Sequence, residues 1–242
     1  MLEHPQMRVE LRTGTAAESD VDLVCVGLFE GERLPEPFDS APGAADVRPG
    51  YRKLDLLRPE RPERVLVVGL GKREDFELER ARVAAALAIK QARRYEASSL
   101  AWVVPAEGSP GRVAAALVEG TLLGAYRFDR YREPENGAIE VERLELYGAE
   151  KPGGLSEEIE VARIATEAAN RARELQYLPS NVVTPSYLAG RAEEIADAHE
   201  ACSLEVLDRE AMERLGMGGL LAVSSGSAEP PRLIVLRYRG SE

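Results

Sequence analysis

Residues Arg64 to Ala97, RVLVVGLGKREDFELERARVAAALAIKQARRYEA, decide the fold. Arg64 to Leu70 is a short, valine-rich run with almost no polar residue, which reads as a strand buried on both faces. Gly69 and Gly71 turn the chain. In Glu77 to Ala97 the apolar positions Leu78, Ala81, Ala85, Ala88 and Ala92 recur every three or four residues, the period of a helix with one buried stripe. A buried strand feeding a one-sided helix is the repeating unit of an α/β sheet.

The same alternation extends outward. Val21 to Phe29 and Leu100 to Val104 read as further buried strands. Pro110 opens a helix to about Tyr126, since proline suits a first helical turn, and Leu144 to Tyr147 is another strand. The expectation is an α/β sheet covered on both faces. Gly31 to Pro62 is too long for a plain loop and is expected to hide short structure. Lys151, Pro152, Gly153 and Gly154 break the pattern. Ser156 is expected to cap the next helix, with Glu157 and Glu158 at its positive end. That helix runs to about Leu178, with a stripe of Ile159, Ala162, Ala165, Ala169 and Ala172. Thr184 and Pro185 then start a helix to about His199. A strand follows at Leu204 to Leu207, Asp208 caps a short helix stopping at Gly216, and Ser224 to Ser227 makes a turn before a last strand, Leu233 to Tyr238. The organisation expected is a domain over 1–150, a connecting helix over 151–178, and the start of a second, incomplete α/β domain over 179–242.

Composition narrows the function. Net charge is −11, which argues against a nucleic-acid backbone binder. No apolar run approaches the roughly 18–20 residues that cross a bilayer, and MLEHPQMRVE has no basic region followed by an apolar core, so a cytoplasmic protein is expected. Cys25 and Cys202 are too few for a disulfide framework and read as small buried thiols. With only His4 and His199, a histidine- or cysteine-based zinc site has no ligand set.

Individual motifs carry little chemistry. VVGLGKRED suggests a dinucleotide turn, but the third glycine position of that fingerprint falls on Glu74, whose carboxylate would repel a pyrophosphate. No Walker lysine motif occurs. Ser224 to Ser227 (SSGS) lacks a histidine base with an orienting partner and does not match the G-x-S-x-G elbow. The 42 carboxylates fall mostly on predicted solvent faces.

Three longer segments are more specific. LGMGGLLAVSSGSAEPPRLIVLRYRG (Leu215 to Gly240) places Gly216, Gly218 and Gly219 around Met217, then Ser224 to Ser227, then Pro230 and Pro231 before the last strand. EGTLLGAYRFDRYR (Glu119 to Arg132) fits E-G-x-x-L-x-x-Y-x-F-x-x-Y, read as a structural helix exit. ARELQYLPSNVVTPSYLAGRA (Ala172 to Ala192) fits N-x-P-x-N-x-x-T-P-x-x-L-A, with Tyr177 replacing the first asparagine. Together these resemble the leucyl (cytosol) aminopeptidase family, dinuclear-metal exopeptidases.

The resemblance implies a macro-like N-terminal α/β domain to about residue 150 and a catalytic α/β domain from about residue 178. It implies release of N-terminal residues, often leucine, from peptide substrates, and assembly as a homo-oligomer, commonly a hexamer. Two divalent cations, Mn²⁺ or Zn²⁺, would polarise the scissile carbonyl and activate a bridging water. The family's ligands, catalytic lysine and arginine belong to GKG-x-x-FD-x-GG and N-x-D-A-E-G-R segments, and neither occurs between Met1 and Glu242. Hence no residue here is assigned a catalytic, cofactor-binding or metal-binding role, and the chain is expected to bind neither cation and to be inactive alone. A second reading is a macro-like nucleotide-binding or assembly module without peptidase activity.

Overall fold

The computed structural model describes residues 7–131, 139–148 and 152–240. His4, Arg132 and Lys151 lie outside the described residues. The chain divides into two compact units, Met1–Arg171 and Ala172–Glu242.

Among the described residues the first unit is built on six strands: β1 (Arg8–Leu11), β2 (Leu23–Phe29), β3 (Leu54–Leu57), β4 (Val65–Gly71), β5 (Ser99–Val103) and β6 (Arg143–Tyr147). Their spatial order is β1-β6-β5-β2-β4-β3. All neighbours run parallel except β3, which lies antiparallel on β4 at one edge. Successive side chains point to opposite faces, so each apolar run feeds two cores. Leu23, Cys25, Leu66, Val68, Leu100, Trp102, Leu144 and Leu146 pack with helices α1 (Leu78–Arg94) and α2 (Pro110–Ala125). The stripe Ala81, Ala85, Ala88 and Ala92 is fully buried there, as its period predicts. Val24, Val26, Leu28, Val65, Val67, Ala101 and Tyr147 form the other core, against Val21, Leu34, Phe38 and Ala41.

That second face is covered without a long helix. The segment after β2 lies on it, with 3-10 turns at Phe38–Ser40 and Ala44–Asp46, and then supplies β3 as the edge strand. This is the structure expected to lie hidden between Gly31 and Pro62. The segment is held close: Arg52 N donates to the Gly69 carbonyl at 2.9 Å and Gly69 N donates to that of Lys53 at 2.8 Å.

Two expectations about the long helix need correction. Helix α3 spans Pro152–Tyr177, so Ser156 lies inside it rather than capping it; proline, with its fixed φ, suits the first turn. Its buried line is also different. Ile159, Ala162 and Thr166 are buried, whereas Ala165, Ala169 and Ala172 are exposed. At 3.6 residues per turn, Thr166 and Asn170 lie within about 20° of Ile159, while the three alanines are turned about 80–140° away. Asn170 Nδ2 donates to the Leu122 carbonyl at 3.2 Å, so a polar pair occupies the line read as alanine.

In the second unit, α4 (Pro185–Ala198) starts with the Thr184 hydroxyl accepting from Tyr187 N at 3.2 Å. Strand β7 (Cys202–Leu207) follows. Asp208 then caps α5 (Arg209–Arg214), accepting from Ala211 N at 2.9 Å. Both caps stand where the sequence places them. Gly216 leaves α5 at φ 69°, a left-handed exit suited to glycine. Residues Gly218–Ser224 then form a further helix, α6, so the turn read over Ser224 to Ser227 begins only after Ser224. Strand β8 (Leu233–Tyr238) pairs antiparallel with β7 in a two-stranded sheet. Among the described residues of this unit only Leu178, Ala192, Met212 and Pro231 are buried apolar side chains.

Candidate functional site

Open α/β sheets usually bind ligands at the carboxyl ends of the strands, where neighbouring connections depart to opposite faces. Here that place lies beyond β2 and β5: the chain after β2 covers one face, and α2, after β5, covers the other. Three connections contribute charge there. Arg73, just after β4, forms ion pairs with Glu32, after β2, and Glu107, after β5. Its guanidinium lies over the Phe29 ring, 4.5 Å from the centroid. Glu32 also accepts from Phe29 N at 2.9 Å. The charges satisfy one another, and two carboxylates against one guanidinium make an unfavourable seat for a phosphate.

The glycine turn next to it is likewise used by the protein itself. A Cβ on Gly69 would fall 1.9 Å from the Gly50 carbonyl oxygen, and one on Gly71 would fall 2.6 Å from Arg80 Nη1. Gly71 adopts φ 79°. Both glycines therefore admit the covering segment and the Arg80 side chain; Gly69, read as part of the turn, lies within β4, and only Gly71 closes the strand.

A second polar cluster was not singled out in the sequence. Glu145, in the middle of β6, is 1% exposed. Its carboxylate accepts from Ser19 Oγ and Tyr147 OH, both at 2.8 Å, and from Arg12 Nη2 at 3.1 Å. Burial pushes this carboxyl up, but the hydrogen bonds from Tyr147 and Ser19 and the Arg12 charge outweigh it and hold it below the usual range. A lone glutamate inside RLELY was the available signal. Every oxygen is satisfied, so the cluster ties β6 to the segment before β2 and has no lone pair to spare for a reaction.

In the second unit the serines turn inward to the backbone. Ser224 and Ser225 hydroxyls donate to the Leu221 and Ala222 carbonyls, and Ser227 Oγ accepts from Glu229 N. None meets a base. Cys25 is fully buried, which pushes its thiol up and away from the reactive thiolate. Cys202 is half-buried. The segment Glu119 to Tyr131 acts in packing. Glu119 pairs with Arg82 of α1, and Gly120 lies directly against the Arg82 backbone. One dipeptide thus receives both parts of one residue. Among the described residues no three His, Cys, Asp or Glu side chains converge as a metal site would need. The donors that the described residues bring together do not make up a two-cation centre. No helix among the described residues is long and apolar enough to cross a membrane.

A two-unit α/β protein with a mostly parallel first sheet is the class these elements define. The sequence profile of the cytosol aminopeptidase family, N-terminal domain, matches residues 52–135, and that of the same family's catalytic domain matches residues 170–242. The probable cytosol aminopeptidase of Roseiflexus castenholzii is 38% identical over 96% of this chain and 49% of its own length. That of Geobacter sp. strain M21 is 38% identical over 97% of this chain and 50% of its own length. Among solved structures, a tomato leucine aminopeptidase mutant superposes with TM-score 0.86 at 22% identity, covering all of this chain and 53% of that one, a likeness of fold. The bottromycin maturation enzyme BotP in complex with Mn gives TM-score 0.75 at 26% identity, covering 90% of this chain and 45% of that one. The chain belongs to the leucyl (cytosol) aminopeptidase family, with matches to its N-terminal domain and to part of its catalytic domain. It spans about half the length of the curated relatives it matches.

Proposed function

We propose that residues 1–242 are the N-terminal portion of a metal-dependent aminopeptidase that releases N-terminal residues, preferably leucine, from peptides. The observation that carries this reading is the succession, in one chain, of the family's N-terminal profile and its catalytic profile, against relatives of twice the matched length. In this reading 1–150 is the macro-like domain, 151–178 the connecting helix, and 179–242 the start of the catalytic domain. The two cations, Mn²⁺ or Zn²⁺, take their ligands from sequence outside these 242 residues. This chain contributes scaffold: caps, helix exits and strands β7 and β8. The complete enzyme works in the cytoplasm as a homo-oligomer, a hexamer by family precedent.

The test is hydrolysis of a leucine chromogenic amide with Mn²⁺ or Zn²⁺, by this chain alone and by this chain fused to the half of the Roseiflexus castenholzii relative that it does not match. The fusion is expected to turn over in a chelator-sensitive way and the chain alone to be silent. A silent, folded fusion counts against the aminopeptidase reading. Chelator-sensitive turnover by the chain alone overturns the placement of the ligands.

A further inference from the structure

We propose that the stretch from Arg8 to Ser19 is an arm that a proton releases: when the buried Glu145 carboxylate is neutralised, β1 and the turn after it leave the sheet while the rest of the first unit stays folded. The inference does not depend on the aminopeptidase reading.

The catch suits an anion alone. Glu145 stands in the middle of β6, almost wholly buried. Its Oε1 accepts from Arg12 Nη2 at 3.1 Å and Nε at 3.3 Å, and its Oε2 accepts from Ser19 Oγ and Tyr147 OH, both at 2.8 Å. Ser19 Oγ itself accepts from Val21 N at 3.3 Å, which leaves its hydrogen for Glu145. Donors thus approach both oxygens, and an ionised carboxylate, which only accepts, satisfies them all. A neutral carboxyl brings a hydrogen of its own among these donors and weakens the charge-assisted bond from Arg12. Arg143, with Nε 3.6 Å from Oε1, adds a second positive charge. The other charges nearby are Glu10, 2.7 Å from Arg12 Nη2, and Asp20, 2.7 Å from Arg143 Nη2; they bind the two guanidiniums and not Glu145.

Little else holds the arm. Among the described residues β1 pairs with β6 alone, at the sheet edge. From Met7 to Ser19 only Ala16 and Ser19 are buried, and Met7, Val9 and Leu11 are partly buried against the helix-side core. Arg12 and Ser19, near the two ends of the turn after β1, converge on one carboxylate, so a single protonation loosens both. Strand β6 keeps β5 as its neighbour, and Leu144 and Leu146 keep their places in the core, without the arm.

The direction follows from the site. Burial pushes the Glu145 carboxyl up, but the bonds from Tyr147 and Ser19 and the Arg12 charge bring it below the usual range. The catch is therefore closed above about pH 4.3 and opens as pH falls through the lower, folded value. Burial pushes Tyr147 up and the Glu145 charge pushes Arg12 up, so both keep their protons throughout.

The experiment follows amide hydrogen exchange in the full 242-residue chain from neutral pH into acid, with each rate corrected for the intrinsic effect of pH. The amides of Arg8 and Arg12, which donate to the Glu142 and Leu146 carbonyls, report the arm; that of Val24, which donates to the Arg64 carbonyl, reports the central strands. In the parent the arm is expected to lose protection at a higher pH than Val24. In Glu145→Gln the arm is expected to exchange about tenfold or more faster at neutral pH, with no acid step of its own and with Val24 still protected. Tyr147→Phe and Ser19→Ala keep the carboxylate but remove one donor each, and are expected to move the step to higher pH, which a packing role alone would not do. Loss of protection at Arg12 and Val24 together, at every pH, overturns the arm as a separate unit. A step at the parent's pH in Glu145→Gln overturns Glu145 as the catch. If that variant does not fold, unshifted steps in both donor variants overturn it equally.

Discussion

Replacing Gly120 by alanine should destabilise the first unit by about 2–3 kcal/mol, although alanine is the better helix former. A Cβ built on Gly120 lies 2.2 Å from the Arg82 carbonyl oxygen and 2.7 Å from Arg82 Cα. Both are backbone atoms of α1 and cannot rotate away. Restoring ordinary contact requires the helices to part by roughly 1 Å, a gap that forfeits about a quarter to a half of each dispersion contact along the interface. Overpacking of this kind costs about 1–3 kcal/mol or more, and here the obstacle is rigid. The intrinsic gain of alanine over glycine, about 1 kcal/mol, offsets part of it. The Arg82–Glu119 pair beside it is stretched by the same separation. Trp102, the only tryptophan and fully buried in the core that α1 and α2 share, reports unfolding of this unit by fluorescence in urea. Gly190→Ala is the control. That glycine lies within α4 with nothing within 4 Å, so the same substitution should stabilise the second unit by about 0.5–1 kcal/mol, followed by hydrogen exchange. A Gly120→Ala chain with an unchanged or raised urea midpoint would refute the close approach of α1 and α2.

Other outcomes follow from particular residues. Because the folded Glu145 carboxyl is held below its unfolded value, its contribution is present above about pH 4.3 and is lost as pH falls through the folded value. Acid titration of Trp102 fluorescence should therefore show Glu145→Gln weaker by about 1–3 kcal/mol at neutral pH, with a flatter decline under acid. In native protein at pH 8, a thiol reagent should label Cys202 quickly and Cys25 only on unfolding; equal rates would contradict the burial of β2. Hydrogen exchange should be faster across residues 172–240 than across 20–147, because the second unit has so few buried apolar residues. Equal protection would remove the distinction.

The sequence made the central strands legible because they are long and apolar, and it made the caps at Thr184 and Asp208 legible because capping is local chemistry. It hid β1 and β3. Each is four residues at a sheet edge, where only one face needs apolar side chains, so RVEL and LDLL resemble surface. It hid α6, since a helix opening Gly-Gly contradicts intrinsic propensity. The phase of α3 is hard to read because alanine is an ambiguous marker, equally at home on either side of a helix. Thr166 and Asn170, polar and therefore easily discounted, hold that line, the first by its burial and the second by its bond to the Leu122 carbonyl.

The polar clusters were hidden for a different reason. Arg73, Glu32 and Glu107 are 41 and 34 positions apart, pair by pair, and only the strand order β5-β2-β4 brings their loops together. Glu119 and Gly120 show the opposite limit. Their motif was visible in the sequence, but its meaning became physical only when both residues were found on Arg82, one against its backbone and the other against its guanidinium. A motif is thus explained from inside a chain when its partner belongs to the same unit. Gly218 and Gly219 belong to an equally specific motif, yet no atom within reach accounts for them.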